Sequence, residues 1–375
     1  MSPTDSKVYG DGFTDGFEPV EPIDVRKHES VSELLRAYSK TSFGGRSLGE
    51  AAEVLEEMVA DPKCFVVMTL SGAMTVAKQG LLICEMIELG WVQAIVSTGA
   101  LMSHGFVESM GGVHFKYKPS MNDEELYKKG YDRVYDTLEL EKNLDDTELI
   151  IRDVIDQLPE DEILSSSLIF RSLGEYFQRT LPEEKRAILK SAYVHKVPIF
   201  VPAFTDSEMG LDIEVLNIKR ELSGKKRRLF DPYLDIEEYA RHVCQQERCG
   251  IFTIGGGVPR NWGQQIGPML DIIEKRLGLP GKGFRFAYGV RVCPEPVHWG
   301  GLSGCTYSEG VSWGKFIPES EGGRFAEVYA DATIIWPLLV RALLERLGLQ
   351  KMSKNVAKPL SKKITLAKYF SSKVS

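Results

Sequence analysis

Gly250-Ile251-Phe252-Thr253-Ile254-Gly255-Gly256-Gly257 is an apolar, β-branched run that stops at a triple glycine and passes into a helical pattern over residues 261–277. Such a run is a short strand buried on both faces, and the glycines permit a tight turn into the helix. The same unit recurs twice upstream. Residues 64–70 (Cys-Phe-Val-Val-Met-Thr-Leu) enter Ser71-Gly72-Ala73-Met74-Thr75 and a helix over 76–89, and residues 92–97 (Val-Gln-Ala-Ile-Val-Ser) enter Thr98-Gly99-Ala100. Segments 197–201, 284–290 and 326–329 read as further strands, and 164–180, 236–246 and 333–347 as further helices. Strands alternating with long helices predict an α/β fold, a Rossmann-like parallel sheet with helices on both faces in a single large domain. There is no internal repeat.

At 375 residues and 43% hydrophobic content the chain can bury a full core. No run reaches the roughly 18 apolar residues of a membrane span. Met1-Ser2-Pro3-Thr4-Asp5 lacks the basic start and apolar stretch of a signal peptide, so the expected location is the cytoplasm. Six cysteines make no disulfide framework, and the one close pair, Cys244 and Cys249, has no partners completing a zinc spacing, so no metal site is expected. The net charge is −7, but residues 351–375 hold seven Lys and no Asp or Glu, which leaves −14 on the rest. An acidic body disfavours nucleic-acid binding by the core and suits a polycation, although such charge is also ordinary solvated surface. Residues 1–45 are assigned to an N-terminal arm, 46–349 to the single folded domain and 350–375 to a basic, disordered tail. Residues 223–231 read as an exposed basic loop.

In an open parallel sheet, ligands bind beyond the carboxyl ends of the strands, where glycine admits a pyrophosphate and helix N-termini favour anions. The turns at Ser71–Thr75, Thr98–Ala100 and Gly255–Gly257 all occupy such places. None is a GxGxxG fingerprint, and a triple glycine is equally a plain tight turn.

A second stretch bears on chemistry: Ser303-Gly304-Cys305-Thr306-Tyr307-Ser308-Glu309-Gly310-Val311-Ser312-Trp313-Gly314-Lys315. Lysine forms imines once desolvation or a cationic neighbour lowers its pKa, and an indole both excludes water and attracts organic cations. On composition alone the segment is either that or a surface loop with a solvated lysine.

The segment from Ser303 to Lys315, with Tyr329-Ala330-Asp331-Ala332 downstream, resembles the deoxyhypusine synthase family, whose Ser-Trp-Gly-Lys lysine carries the transferred group. The likeness recurs in family order at Phe204-Thr205-Asp206-Ser207-Glu208-Met209-Gly210, at Gly255-Gly256-Gly257-Val258 and at Ser97-Thr98-Gly99-Ala100, spanning about residues 20 to 348. The resemblance implies an NAD-dependent transferase that cleaves a polyamine such as spermidine and passes its aminobutyl group through an imine on Lys315. NAD would lie on Ser71, Thr75, Thr98, Gly99, Ala100, Asp206, Gly255, Gly256, Gly257, Asp331 and Ala332. Glu309 would hold a substrate ammonium and Trp313 would line the alkyl chain, with Ser303, Asn261, Asp212 and His298 in the same substrate set. Asn261 is alternatively a cap of the helix that follows it. The acceptor is a translation-factor lysine or a small free amine, and the assembly is a homotetramer with active sites between subunits. The rivals are transfer of the homospermidine synthase type and an NAD or polyamine sensor without turnover, against which Lys315 speaks.

Departures from the family pattern fall in the substrate pocket. Asn261 stands where the eukaryotic pattern has histidine, and Trp299 and Leu302 replace acidic residues ahead of Ser303. Ser103 and His104 stand in place of an acidic pair, and Leu211 aligns with the polyamine-binding aspartate, so Asp212 serves only if the loop shifts by one residue. Segment 289–299 is longer than its counterpart. The pattern resembles the deoxyhypusine synthase-like branch. His298, beside Trp299, and His104, at a cofactor turn, are each either a general base or structural.

Overall fold

The computed structural model describes residues 9–279, 283–300, 304–349 and 366–371. Helices α1 (Val31–Ser39) and α2 (Phe43–Ala60) precede β1 (Cys64–Leu70), and α3 (Gly80–Glu88) leads to β2 (Ala94–Ser97) and α4 (Gly99–Ser109). An excursion follows, comprising β3 (Phe115–Lys116), α5 (Asp123–Lys128), β4 (Tyr131–Val134) and β5 (Thr137–Leu140). Helices α6 (Glu141–Asp156), α7 (Ser166–Thr180) and α8 (Ile188–His195) bring the chain to β6 (Ile199–Phe200). Helices α9 (Glu208–Leu222) and α10 (Tyr233–Val243) then lead to β7 (Arg248–Ile254), α11 (Gly257–Gln264), α12 (Ile266–Leu277) and β8 (Tyr288–Val292). The chain closes with α13 (Tyr307–Ser312), β9 (Arg324–Val328), α14 (Ala332–Leu347) and α15 (Leu366–Ser371).

Six strands form one parallel sheet in the order β6-β2-β1-β7-β8-β9. From β1 the chain builds outward through β2 to β6, then returns to pair β7 with β1 and builds the other way. The winding therefore reverses between β1 and β7, and such a reversal opens a crevice at the carboxyl ends of the two strands. The expected Rossmann-like sheet is what the chain forms.

Period-two alternation explains why β1 is buried throughout. Cys64, Val66, Met68 and Leu70 enter one core cluster with α2, α3 and α14, while Phe65 and Val67 enter the other with α10 and α12. Thr69 and Thr253 are fully buried side by side on β1 and β7, and each hydroxyl finds its partner in the other at 2.9 Å.

Several expected boundaries move. Residues 31–45, counted with the arm, form α1 and the start of α2, and Leu35 is buried because α1 packs on α2 and α14. The helix expected from 76 begins at Gly80, since Lys78 takes φ 62° in a run of tight turns over 73–79. The helix expected over 261–277 is two, starting at Gly257 and broken at Gln265. The strand expected over 284–290 is β8, shifted because pairing with β7 starts only at Tyr288. The small antiparallel sheet β3-β5-β4 was not foreseen. Of the expected disordered tail, the described part is α15, whose Phe370 is buried against the cluster that contains α10; the remainder lies outside the described residues. Among the described residues no helix is long and apolar enough to cross a membrane.

Candidate active site

Helix α11 links the crevice to the lysine. It starts at the triple glycine that ends β7, and Asn261 lies one turn further, about 6 Å along the axis. Asn261 Oδ1 accepts a hydrogen bond from Lys315 Nζ at 3.0 Å. Asn261 is thus inside α11 and caps neither helix, since Gly256 and Gln265 hold the N-cap positions of α11 and α12.

Local sequence sets the lysine. Thr306 caps α13 by accepting from the Glu309 amide at 3.0 Å, and the helix ends at Trp313. Gly314 then turns the chain at φ +66°, where a Cβ would lie 2.9 Å from Arg285 Nη2, so only glycine fits without strain. Lys315 follows with its backbone paired to Phe286 and its side chain turned inward, 6% exposed. Burial pushes its ammonium below the usual lysine range; nearby Arg260 adds to this, while Cys305 and Glu309 oppose it. Asn261 is open to solvent, so the amine is reached from that side.

The indole does not supply this burial. Trp313 is 64% exposed and lines an open groove of about 600 Å³ with Asp271 and Arg285. Glu309 is exposed on the first turn of α13. His298 is exposed on the loop after β8, with its ring edge-to-face on Trp299 at 6.4 Å. Ser303 and Leu302 lie outside the described residues. Asp212 sits on α9 in a separate acidic cleft lined also by Glu139, Glu148 and Glu208. Burial raises its carboxyl to about 7, reinforced by Glu148 and Glu208.

Sequence reasoning missed two buried guanidiniums. Arg260, 2% exposed, donates to the Cys305 carbonyl at 2.8 Å, and Arg291, 1% exposed on β8, reaches the same oxygen at 3.5 Å. Arg260 Nε and Nη2 and Arg291 Nε have no hydrogen-bond partner among the described residues, and the nearest carboxylate, Glu327, stands 4.0 Å from Arg260. A charge inside the apolar strand Gly289-Val290-Arg291-Val292 was the available signal.

The turns expected to hold a cofactor meet at the carboxyl ends of the strands. Ser71, after β1, accepts from the Gly256 amide at 2.9 Å, closing the crevice between β1 and β7. Gly255 has φ +81° and a Cβ there would lie 2.0 Å from Ser71 Oγ. No side chain caps α11, whose first turn carries backbone N–H groups at Gly257 and Val258 and none at Pro259. Thr98 caps α4 and donates to the Gly72 carbonyl at 2.8 Å, tying two turns together; Gly99 packs on Ser207, with Ala100 beside it. Asp206 is exposed beyond β6, and Asp331, exposed beyond β9, caps α14 ahead of buried Ala332. Thr75 is fully buried with its hydroxyl given to the Leu101 carbonyl, so it braces the wall without lining it. An open crevice, uncapped helix amides and two flanking carboxylates fit a dinucleotide.

The fold and site define an α/β protein of Rossmann strand order that holds a buried, amide-anchored lysine one helical turn from its ligand crevice. The family model for deoxyhypusine synthase matches residues 33–343. A "Probable deoxyhypusine synthase 2" from Methanosarcina acetivorans is 36% identical over 88% of this chain and 90% of its own length. A "Deoxyhypusine synthase-like protein" from Coxiella burnetii is 29% identical over 86% and 88%. Among solved structures, a "putative deoxyhypusine synthase" from Entamoeba histolytica shares the fold at TM-score 0.56 and 16% identity, covering 86% of this chain and 96% of that one. The chain belongs to the deoxyhypusine synthase family, a family of transferases that move the aminobutyl group of spermidine.

Proposed function

We propose that the protein is an NAD-dependent aminoalkyl transferase that carries the aminobutyl group of a polyamine as an imine on Lys315. The observation behind this reading is the buried Lys315 amine held 3.0 Å from Asn261 Oδ1, with its ammonium disfavoured by burial. The Ser71, Thr98, Gly255–Gly257, Asp206 and Asp331 turns would hold NAD, which when bound would supply reversible hydride abstraction at a carbon bearing an amine. Lys315, unprotonated, adds to the substrate imine carbon, expels the departing amine and keeps the four-carbon fragment covalently. An acceptor amine would then take the fragment as a new imine, restoring the free lysine, and return of the abstracted hydride to that imine would leave no net oxidation. Asn261 orients the amine lone pair, and Glu309 receives a substrate ammonium. The exposed indole of Trp313 becomes a pocket wall when a second copy covers it, in a cytoplasmic homotetramer.

The acceptor we infer is a small free amine. Asn261, Leu211 and Trp299 replace the histidine and acidic groups of the eukaryotic pattern, whereas Lys315, Trp313 and Glu309 are kept. Losing charged partners costs a few kcal/mol, about a hundredfold in specificity. The test is a competition at equal concentration between putrescine, agmatine and a hypusine-precursor protein, with spermidine as donor, NAD present and products read by mass spectrometry. Labelled small amine supports the reading. Preferential labelling of the protein assigns plain deoxyhypusine synthase activity, and absence of any aminobutyl product removes the transferase reading.

A further inference from the structure

The small sheet β3-β5-β4 and helix α4 bring together three residues far apart in sequence. His104 lies in the second turn of α4, His114 follows that helix, and Glu139 lies on β5. Each offers one ligand atom, and these atoms lie within 4.8 Å of one another. The side chains of His114 and Glu139 are each 1% exposed. Yet His114 Nε2 and Glu139 Oε1, 3.4 Å apart, have no hydrogen-bond partner among the described residues. A good N–H···O bond is about 2.9 Å. The observed separation instead equals the edge of a tetrahedron with metal–ligand bonds of about 2.1 Å, which is about 3.4 Å. Glu139 Oε2 is in direct hydrogen-bond contact with His104 Nδ1, so His104 joins the ligand set as that contact opens around the ion.

The surroundings favour a cation. The three-residue cluster opens on the cleft of about 760 Å³ whose wall carries His104, Asp132, Glu139, Asp145, Glu148 and Asp212. One cation faces the cluster, since Lys78 Nζ lies 2.7 Å from His114 Nδ1, but it also reaches Glu108 at 3.5 Å and so has another carboxylate when the ring turns its proton to Nδ1. Two imidazoles and one carboxylate form a donor set for a divalent transition ion of the zinc class, with room for water in the fourth position.

We propose that His104, His114 and Glu139 bind one such ion, which clamps the β3-β5-β4 sheet to α4. Helix α4 starts at the Thr98-Gly99 turn, so the clamp stiffens one wall of the crevice without touching Lys315. The donor set shares no residue with the Lys315–Asn261 pair.

The test uses the full chain, stripped with chelator, then titrated with Zn²⁺ by calorimetry and with Co²⁺ by visible absorption. One saturable ion per chain, an imidazole-bound Co²⁺ spectrum and a raised melting temperature are expected. Glu139→Gln and His114→Ala should each weaken binding at least about a hundredfold. His104→Gln, which keeps a polar group on the exposed side, provides a third reading where either of those variants folds poorly. Absence of saturable binding overturns the proposal, as does affinity unchanged in all three variants. Displacement of Zn²⁺ by spermidine at equal concentration would assign the cleft to polyamine and overturn it as well.

Discussion

Two regions of this molecule crowd like charges, with opposite sign. Around Lys315 a buried ammonium position sits near Arg260, and among the described residues the hydrogen-bond partner of Nζ is a neutral amide. In the cleft between α4, α6 and α9, Asp212 stands among Glu148, Glu208 and Asp145, opposed by Lys219. The same physics drives each group toward its neutral form: the lysine falls below its ordinary range and the aspartate rises to about 7. The difference is what neutrality gives. A neutral amine is a nucleophile, whereas a neutral carboxyl stores a tendency to take up a cation.

The comparison breaks most sharply at the lysine. Lys315→Ala should lower aminobutyl transfer by about a thousandfold or more with the fold intact, because a covalent carrier has no substitute. Steady-state rates with circular dichroism as the fold control decide it, and turnover within tenfold of wild type would remove the lysine from the mechanism.

Arg260 sharpens the charge argument. The active lysine is the unprotonated one, so the rate rises with pH through its titration, and a nearby cation moves that rise to lower pH. Arg260→Gln should move the ascending limb to higher pH and cost on the order of tenfold at neutral pH, while Arg260→Lys keeps the limb in place. An unmoved limb in Arg260→Gln would mean that burial alone tunes the amine.

The smallest effect belongs to the acidic cleft. A folded-state pKa of about 7 against an ordinary 3.8 means that stability is lost as pH rises from 3.8 to about 7. Asp212→Asn removes that loss, so its gain in unfolding free energy over wild type should be larger at pH 8 than at pH 5, by roughly 1–2 kcal/mol after allowance for solvent screening, as read from denaturant unfolding curves. Equal gains at both pH values would show that Asp212 is ordinarily ionised.

Much of this architecture was legible because it rests on burial from two sides. Residues 64–70 and 250–254 are apolar at every or nearly every position since both faces of the sheet are covered, and the turns after them carry the small residues that close packing demands. The lysine was singled out by the resemblance of Ser312-Trp313-Gly314-Lys315 to a family motif, since composition alone left it equally a solvated surface residue. What stayed hidden has physical causes. Strand β4, Tyr131–Val134, is polar and mostly exposed, so no apolar alternation marks it. Arg260 looks like a surface charge, yet it is 2% exposed and donates to the Cys305 carbonyl. His104 and Glu139 are 35 residues apart and meet only because the small sheet folds back on α4. Trp313 was expected to shield Lys315, but Gly314 turns the chain between them, and the indole faces outward.

The most direct measurement is reductive trapping. Borohydride added during turnover with NAD and spermidine should fix an aminobutyl group on one peptide, the one holding Lys315, and the label should disappear in Lys315→Arg. Product formation with no trapped adduct, or an adduct on any other residue, would contradict the account.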